Sequence, residues 1–177
     1  MHKSNKVIPI KDLKPIDYKL LSELMKDSHR SDRQLAKALG VSQPTVTRRR
    51  AMLEEHFIEG YTVIPKFGHI GYEIAAFTYI KSKLKQKAGA ERDEAIKKLK
   101  EWSLNQPNVI LFLDGRGMGW DAVCISLHKN YPDYAEYIRT HDCELSDWIC
   151  ESQTFLSDLK SGLVLKPFNL KYLSNSK

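Results

Sequence analysis

The sequence predicts an α+β chain built of two unlike parts. Three observations carry that expectation. The 177 residues are 42% apolar, enough for packed cores and too many for a disordered chain. The first third repeats its apolar residues at helical spacing, whereas most of the rest alternates at period two between helical stretches. The positive charge is uneven: residues 1–66 hold 13 basic against 8 acidic side chains, and residues 67–177 hold 15 against 14. A basic module ahead of a near-neutral one follows.

Taken in order, residues 1–12 carry no period. From Ile16, the residues Leu20, Leu21, Leu24 and Met25 form a helical stripe that stops near Ser28-His29, with Asp17 in the first turn where negative charge suits the helix dipole. Ser31 and Gln34 have the spacing of a capping box, so a helix is expected over 32–39, burying Leu35, Ala36 and Leu39. Gly40 suits the left-handed position that ends a helix. Ser42 is a good N-cap, and Pro44 is tolerated in the first turn of a helix running to about Glu55. Residues 58–64 read as a turn and a strand. Pro65, Gly68 and Gly71 punctuate a hinge over 65–70. Residues 1–64 are thus expected to form a winged helix-turn-helix.

The second part, 71–160, begins with a β-branched and aromatic strand over 72–81, followed by a basic, solvated connection at 81–87. Ala95, Ile96, Leu99 and Trp102 mark a helix over 90–104. A strand over 108–113, a glycine-rich turn over 114–119 and an alternating strand over 121–128 come next. A helix over 131–141 and a strand over 144–156 close the unit. The order βαββαβ is that of a ferredoxin-like sandwich. Residues 161–177 read as a C-terminal tail whose Leu163, Val164 and Leu165 could pair with a sheet edge.

Composition excludes several classes. Net charge is +6, with a pI of 9.1 and a mean hydropathy of −0.44; a basic balance permits nucleic acid or an anionic surface as partner. No apolar run approaches the ~18 residues of a membrane span, and no apolar stretch follows the segment Met1–Lys6 as a secretory signal requires. A cytoplasmic chain without membrane contact is expected. The three cysteines, Cys124, Cys143 and Cys150, form no C-x-x-C pair and are expected to be small buried residues. The six histidines make no H-E-x-x-H pattern. No metal site, no cofactor and no catalytic residue is assigned.

The helix pair around Gly40 carries the most specific chemistry. A small residue, Ala36, stands where two helices would cross, Gly40 follows four residues on, and Val46 six further on is placed to face the core. Advancing about 100° per residue from Val46 puts Leu53 inward and Arg48 fully outward, with Arg49 and Arg50 flanking the inward direction. Arg48 is therefore the candidate for a guanine edge in the major groove. Ser42, Gln43, Thr45 and Thr47 could reach bases or phosphates near the helix start. Arg49 and Arg50 are expected to extend past the core toward phosphates or an internal carboxylate. The partner implied is double-stranded DNA; a basic three-helix module that binds protein is the alternative.

Residues 13–64 closely resemble the DNA-binding domain of the Lrp/AsnC (feast/famine) transcription regulators. The matching stretches are Asp17 with Leu20-Leu21, the run Leu35 to Ser42, Thr45-Val46 with Arg49, Leu53-Glu54, and Ile58 to Thr62. The family's second domain is a βαββαβ module, the RAM domain, which matches the order read for 71–156. The resemblance implies a homodimer or a multiple of dimers and an amino-acid effector. It places the effector beside the segment Gly117, Met118, Gly119, Trp120 and Asp121, where glycines let backbone N–H groups approach a carboxylate and Asp121 could take an ammonium group. A hairpin turn without a ligand is the plainer reading. Two departures stand out: the glycine usual after the second helix of the pair is absent, and Arg50 replaces an aliphatic residue. Some proteins of this build have turned to haem-precursor decarboxylation, for which His128 and Arg116 would be the residues to offer.

Overall fold

The computed structural model describes residues 13–162 and 164–175. They divide into two compact units: the described residues up to Ile64 together with Lys166 onward, and Pro65–Leu165. The chain therefore passes between the units twice. Residues 1–12 of the expected first domain lie outside the described residues.

The first unit holds α1 (Pro15–Lys26), α2 (Asp32–Leu39) and α3 (Gln43–His56). Local chemistry sets each boundary. The Gln34 N–H donates to Ser31 Oγ at 3.3 Å and the Ser31 N–H to Gln34 Oε1 at 2.8 Å, closing the capping box. Gly40 sits at φ 67° and ψ 33°. This left-handed turn lets the Val41 N–H reach the Ala36 carbonyl at 3.1 Å. Leu20, Leu24, Leu35, Ala36, Val46 and Leu53 form the core, with Leu13, Leu39, Val41 and Phe57 packed around it. α3 ends without a glycine: Phe57, at φ −132°, and Ile58 both donate to the Leu53 carbonyl at 2.8 Å.

The expected wing strand over 58–64 is absent. A strand needs a neighbour for its ladder, and here the chain runs directly into a 3-10 turn, Phe67–Ile70, closed by Gly71 at φ 93°. That turn occupies the expected hinge.

The tail also departs from expectation. Val164 and Leu165 join no strand, and Leu163 lies outside the described residues. The Asp158 carboxylate accepts the N–H groups of Lys160 at 2.7 Å and Ser161 at 2.9 Å, which bends the chain away from the sheet edge. Residues Leu170–Asn175 form a 3-10 turn packed on α1, where Ser22 Oγ donates to the Ser174 carbonyl at 2.7 Å.

The second unit is one antiparallel sheet in the order β2-β3-β1-β4, with β1 Ile74–Ser82, β2 Val109–Gly117, β3 Trp120–His128 and β4 Ile149–Asp158. The helices α4 (Gly89–Asn105) and α5 (Tyr131–Glu144) lie between the strands in sequence. This is the βαββαβ sandwich that the sequence predicts. The connection at 81–87 is less solvated than expected: it forms a 3-10 turn, Lys83–Gln86, and the Lys83 ammonium donates to the Ser146 carbonyl at 2.6 Å.

Register sorts the faces. Thr78, Cys124, Ser126 and His128 share the helix-covered side and are fully buried or nearly so. On the opposite side Leu111, Ile125, Phe77 and Phe155 form one row across all four strands. That row stays open: Leu111 is 40% and Phe155 64% exposed. Of the cysteines, Cys124 is buried, and burial pushes its thiol up. Cys143 and Cys150 are exposed, against expectation. Cys143 lies near the end of α5 and Cys150 near the start of edge strand β4.

His128 is fully buried. The Asn108 amide donates to its Nδ1 at 3.2 Å, so Nε2 carries the proton and donates to Ser126 Oγ at 2.8 Å. Burial holds His128 below its ordinary value of 6.5, against a weaker pull from Asp133. The unfolded chain therefore takes up a proton that the folded chain refuses. Stability is complete above about pH 6.5 and falls as pH drops from there toward the lower folded pKa. All tryptophans lie in this unit, so their fluorescence follows it. The urea midpoint is expected to fall between about pH 8 and about pH 5.5, and to fall less in His128→Gln. An equal drop in the variant would remove His128 as the cause.

Candidate nucleic-acid interface

α3 presents two different faces. Val46 and Leu53 are buried at 1% and 0% exposure, and this fixes the rotation of the helix. Gln43, Thr47, Arg48 and Ala51 are then exposed, while Arg49 and Arg50 are half-buried. The helical-wheel sorting of the three arginines agrees with this placement.

Each arginine has its own surroundings. Arg48 makes no hydrogen bond or ion pair among the described residues and projects into solvent. Arg49 donates to Asp17 Oδ2 at 3.4 Å; that carboxylate is fully buried in α1 and also accepts the Lys14 N–H at 2.7 Å. Arg50 is the most encumbered. It donates to Glu54 Oε1 at 2.9 Å, to Asp32 Oδ1 at 3.2 Å and to the Arg30 carbonyl at 3.3 Å. Its guanidinium also lies 5.4 Å from the Tyr61 ring centroid. The Tyr61 hydroxyl donates to Glu54 at 2.9 Å, and partial burial with that bond pushes the phenol up. The departure at Arg50 thus replaces an apolar contact by a polar clasp joining α2, α3 and the segment after α3.

The polar residues at the start of α3 also divide. Ser42 Oγ accepts the Thr45 N–H at 3.4 Å and lies 2.8 Å from Thr45 Oγ1, so both belong to the cap. Thr47 donates to Asp32 Oδ2 at 2.6 Å. Gln43 and Arg48 remain with free polar ends among the described residues. Asp17, Asp32 and Tyr61 were missed as supports by sequence reasoning. Only a count of partners for buried charge could have found them.

The segment expected to hold a small molecule is a hairpin. β2 runs to Gly117, so the turn is only Met118 and Gly119, at φ 52° and 82°, as a type I′ turn requires. Met118 is 83% exposed, and Trp120 packs 6.4 Å from Tyr79. Asp121 alone points elsewhere: it accepts the Ser82 N–H at 3.0 Å and pairs with Lys85, and these two hold its carboxyl below the usual carboxylate range. Asp121 lines a partly open cavity of about 490 Å³ between α4 and the sheet. Gly117, Met118, Gly119 and Trp120 do not line it. The residues offered for an enzyme are not brought together: His128 is buried beside Ser126 and Asn108, while Arg116 lines the α4 cavity. Among the described residues no cluster of three or more His, Cys, Asp or Glu could hold a metal. None of their helices is long and apolar enough to cross a membrane.

Over most of its length the chain is similar to known proteins. Residues 15–54 match the AsnC-type helix-turn-helix domain. The chain is 30% identical over 128 residues to an HTH-type transcriptional regulator of Pyrococcus abyssi, covering 72% of this chain and 80% of that one. It is 36% identical over 73 residues to the leucine-responsive regulatory protein of Escherichia coli, covering 41% and 44%. Among solved structures, a transcriptional regulator of Neisseria meningitidis in complex with L-Met superposes with a TM-score of 0.70 at 17% identity, over 91% of this chain and 99% of that one. An AsnC family regulator of Agrobacterium tumefaciens gives 0.71 at 18% identity, over the same shares.

Proposed function

The chain belongs to the Lrp/AsnC family of helix-turn-helix transcription regulators, and from that premise we infer that it reads a specific DNA sequence through the outer face of α3. The observation that carries this reading is the division of labour among neighbouring arginines. Asp17 holds Arg49, and Asp32 and Glu54 hold Arg50. Arg48 alone is left with a free guanidinium fork, suited to guanine O6 and N7. Ser42, Thr45, Thr47, Arg49 and Arg50 orient the helix or reach phosphates, and Gln43 joins Arg48 in facing the groove. Residues up to 64 serve as the DNA-binding part and 71–160 as the pairing and sensing part.

The partner for the open sheet face is a second copy of the chain. Leu111, Ile125, Phe77 and Phe155 form an apolar row that no helix of their unit covers, and two such faces bury each other in a two-fold dimer. Phe155→Arg is expected to yield monomers at concentrations where the parent sediments as a dimer. A dimer that persists would move the interface elsewhere. Two α3 helices related by a two-fold axis call for a pseudo-palindromic site with half-sites a whole number of turns apart. The setting implied is the cytoplasm. An amino acid or related metabolite near Gly117–Asp121 would be the modulator; the N. meningitidis relative was solved with L-Met.

The direct test is a shift assay on duplex DNA titrated with salt. Binding is expected to weaken linearly in log–log form as phosphate contacts release counterions. No binding to any duplex at low salt would reject the reading.

A further inference from the structure

The two helices of the second unit are not equally packed. α5 buries Tyr134, Tyr137 and His141 against the sheet, whereas α4, three residues longer, buries Ala95 alone. Ile96 of α4 remains 44% exposed. Protein interiors are close-packed, and an apolar helix face held off its sheet leaves its lining without partner atoms. The space so left is the 490 Å³ cavity, large enough for a ligand bigger than a common amino acid.

Its chemistry is lopsided. The body is apolar, formed by Ile80, Leu99, Phe112 and Trp148. Arg92, Lys100 and Arg116 also line it, all exposed, and none has an ion-pair partner among the described residues. Two carboxylates oppose them. Asp121 is already satisfied by Ser82 and Lys85, which leaves only Asp114 free. Three unpaired cations against one unpaired carboxylate, beside an apolar body, select an anion with an apolar tail.

We propose that the cavity between α4 and the sheet binds a carboxylate with an aryl or alkyl body and no ammonium group. The carboxylate sits on Arg92, Arg116 and Lys100, and the body slides between Leu99 and Phe112 toward Trp148. This site is separate from the hairpin tip, because Gly117 to Trp120 take no part in it. Occupancy completes the packing of α4 and therefore stabilises the unit. The proposal does not rest on the DNA-binding reading, since the cavity lies within the sheet unit and its occupancy is read without DNA.

Three probes of one shape and different charge test it on the full chain: 3-phenylpropanoate, phenylalanine and 2-phenylethylammonium. Binding is read by calorimetry and by tryptophan fluorescence. The carboxylate is expected to bind with a Kd in the low millimolar range or better, at least about tenfold tighter than phenylalanine, and the ammonium not at all. The double variant Arg92→Ala, Arg116→Ala changes only exposed side chains. It should keep its fold by circular dichroism and weaken the carboxylate by about tenfold or more. Leu99→Arg, which drives a cation into the apolar body, should abolish binding. Absence of binding by the carboxylate, equal or tighter binding of phenylalanine or the ammonium, or full affinity in the double variant would each overturn the proposal. None of these outcomes touches the salt-titrated DNA assay.

Discussion

Arg49→Ala is expected to destabilise the helix-turn-helix unit by about 3–5 kcal/mol. The reason lies in Asp17, whose side chain is fully buried while that of Arg49 is only 16% exposed. Removing the guanidinium leaves a fully buried carboxylate with a single backbone donor, the Lys14 N–H. Breaking one side of such a pair costs far more than the pair contributes. Two controls isolate the cause. Arg49→Lys restores the charge without the fork and should recover part of the loss. The double change Asp17→Asn, Arg49→Met removes both charges and should be much milder than Arg49→Ala alone. All three tryptophans lie in the other unit. The loss should therefore appear as early melting in far-ultraviolet circular dichroism while tryptophan fluorescence holds. Unchanged melting in Arg49→Ala would show that Asp17 finds another partner.

Arg48→Ala is expected to do the opposite. Stability should stay within about 0.5 kcal/mol of the parent, as for exposed residues without partners. Affinity for the preferred duplex should drop by about 1–3 kcal/mol per half-site, with discrimination relaxed at one base pair. The contrast between neighbours is informative because both changes remove one positive charge. A general electrostatic role would weaken binding alike for every sequence. Loss of preference at one position requires a base contact.

Much of this architecture is written locally. Ser31 and Gln34 are three residues apart and cap one another, and Gly40 takes the positive φ that ends α2. Short-range chemistry of this kind can be read from a single sequence. The element order of the sheet unit is equally legible, because period-two alternation persists through β1 and β3. What could not be read depends on partners far along the chain or outside it. Asp17 and Arg49 are 32 residues apart, and only the fold joins them. Residues 58–64 have strand composition but no neighbouring strand among the described residues, and they form no ladder. Glycines at 115, 117 and 119 suggested one long turn, yet only Met118 and Gly119 take positive φ; the others continue β2. The apolar triplet of the tail could pair with a sheet edge, whereas Val164 and Leu165 join no strand and Leu170–Asn175 packs on α1. The α4 cavity was invisible because it results from how loosely one helix packs, and no local pattern encodes that.

The central claim is that one arginine of three reads sequence. Selection of bound duplexes from a random library, carried out in parallel with the parent chain and Arg48→Ala, tests it most directly. The parent should yield a pseudo-palindromic preference, and the variant should lose information at one base pair in each half-site, with the salt dependence of its binding reduced by no more than about one counterion per half-site. Identical preferences from the two proteins, or a uniform loss across all positions, would contradict it.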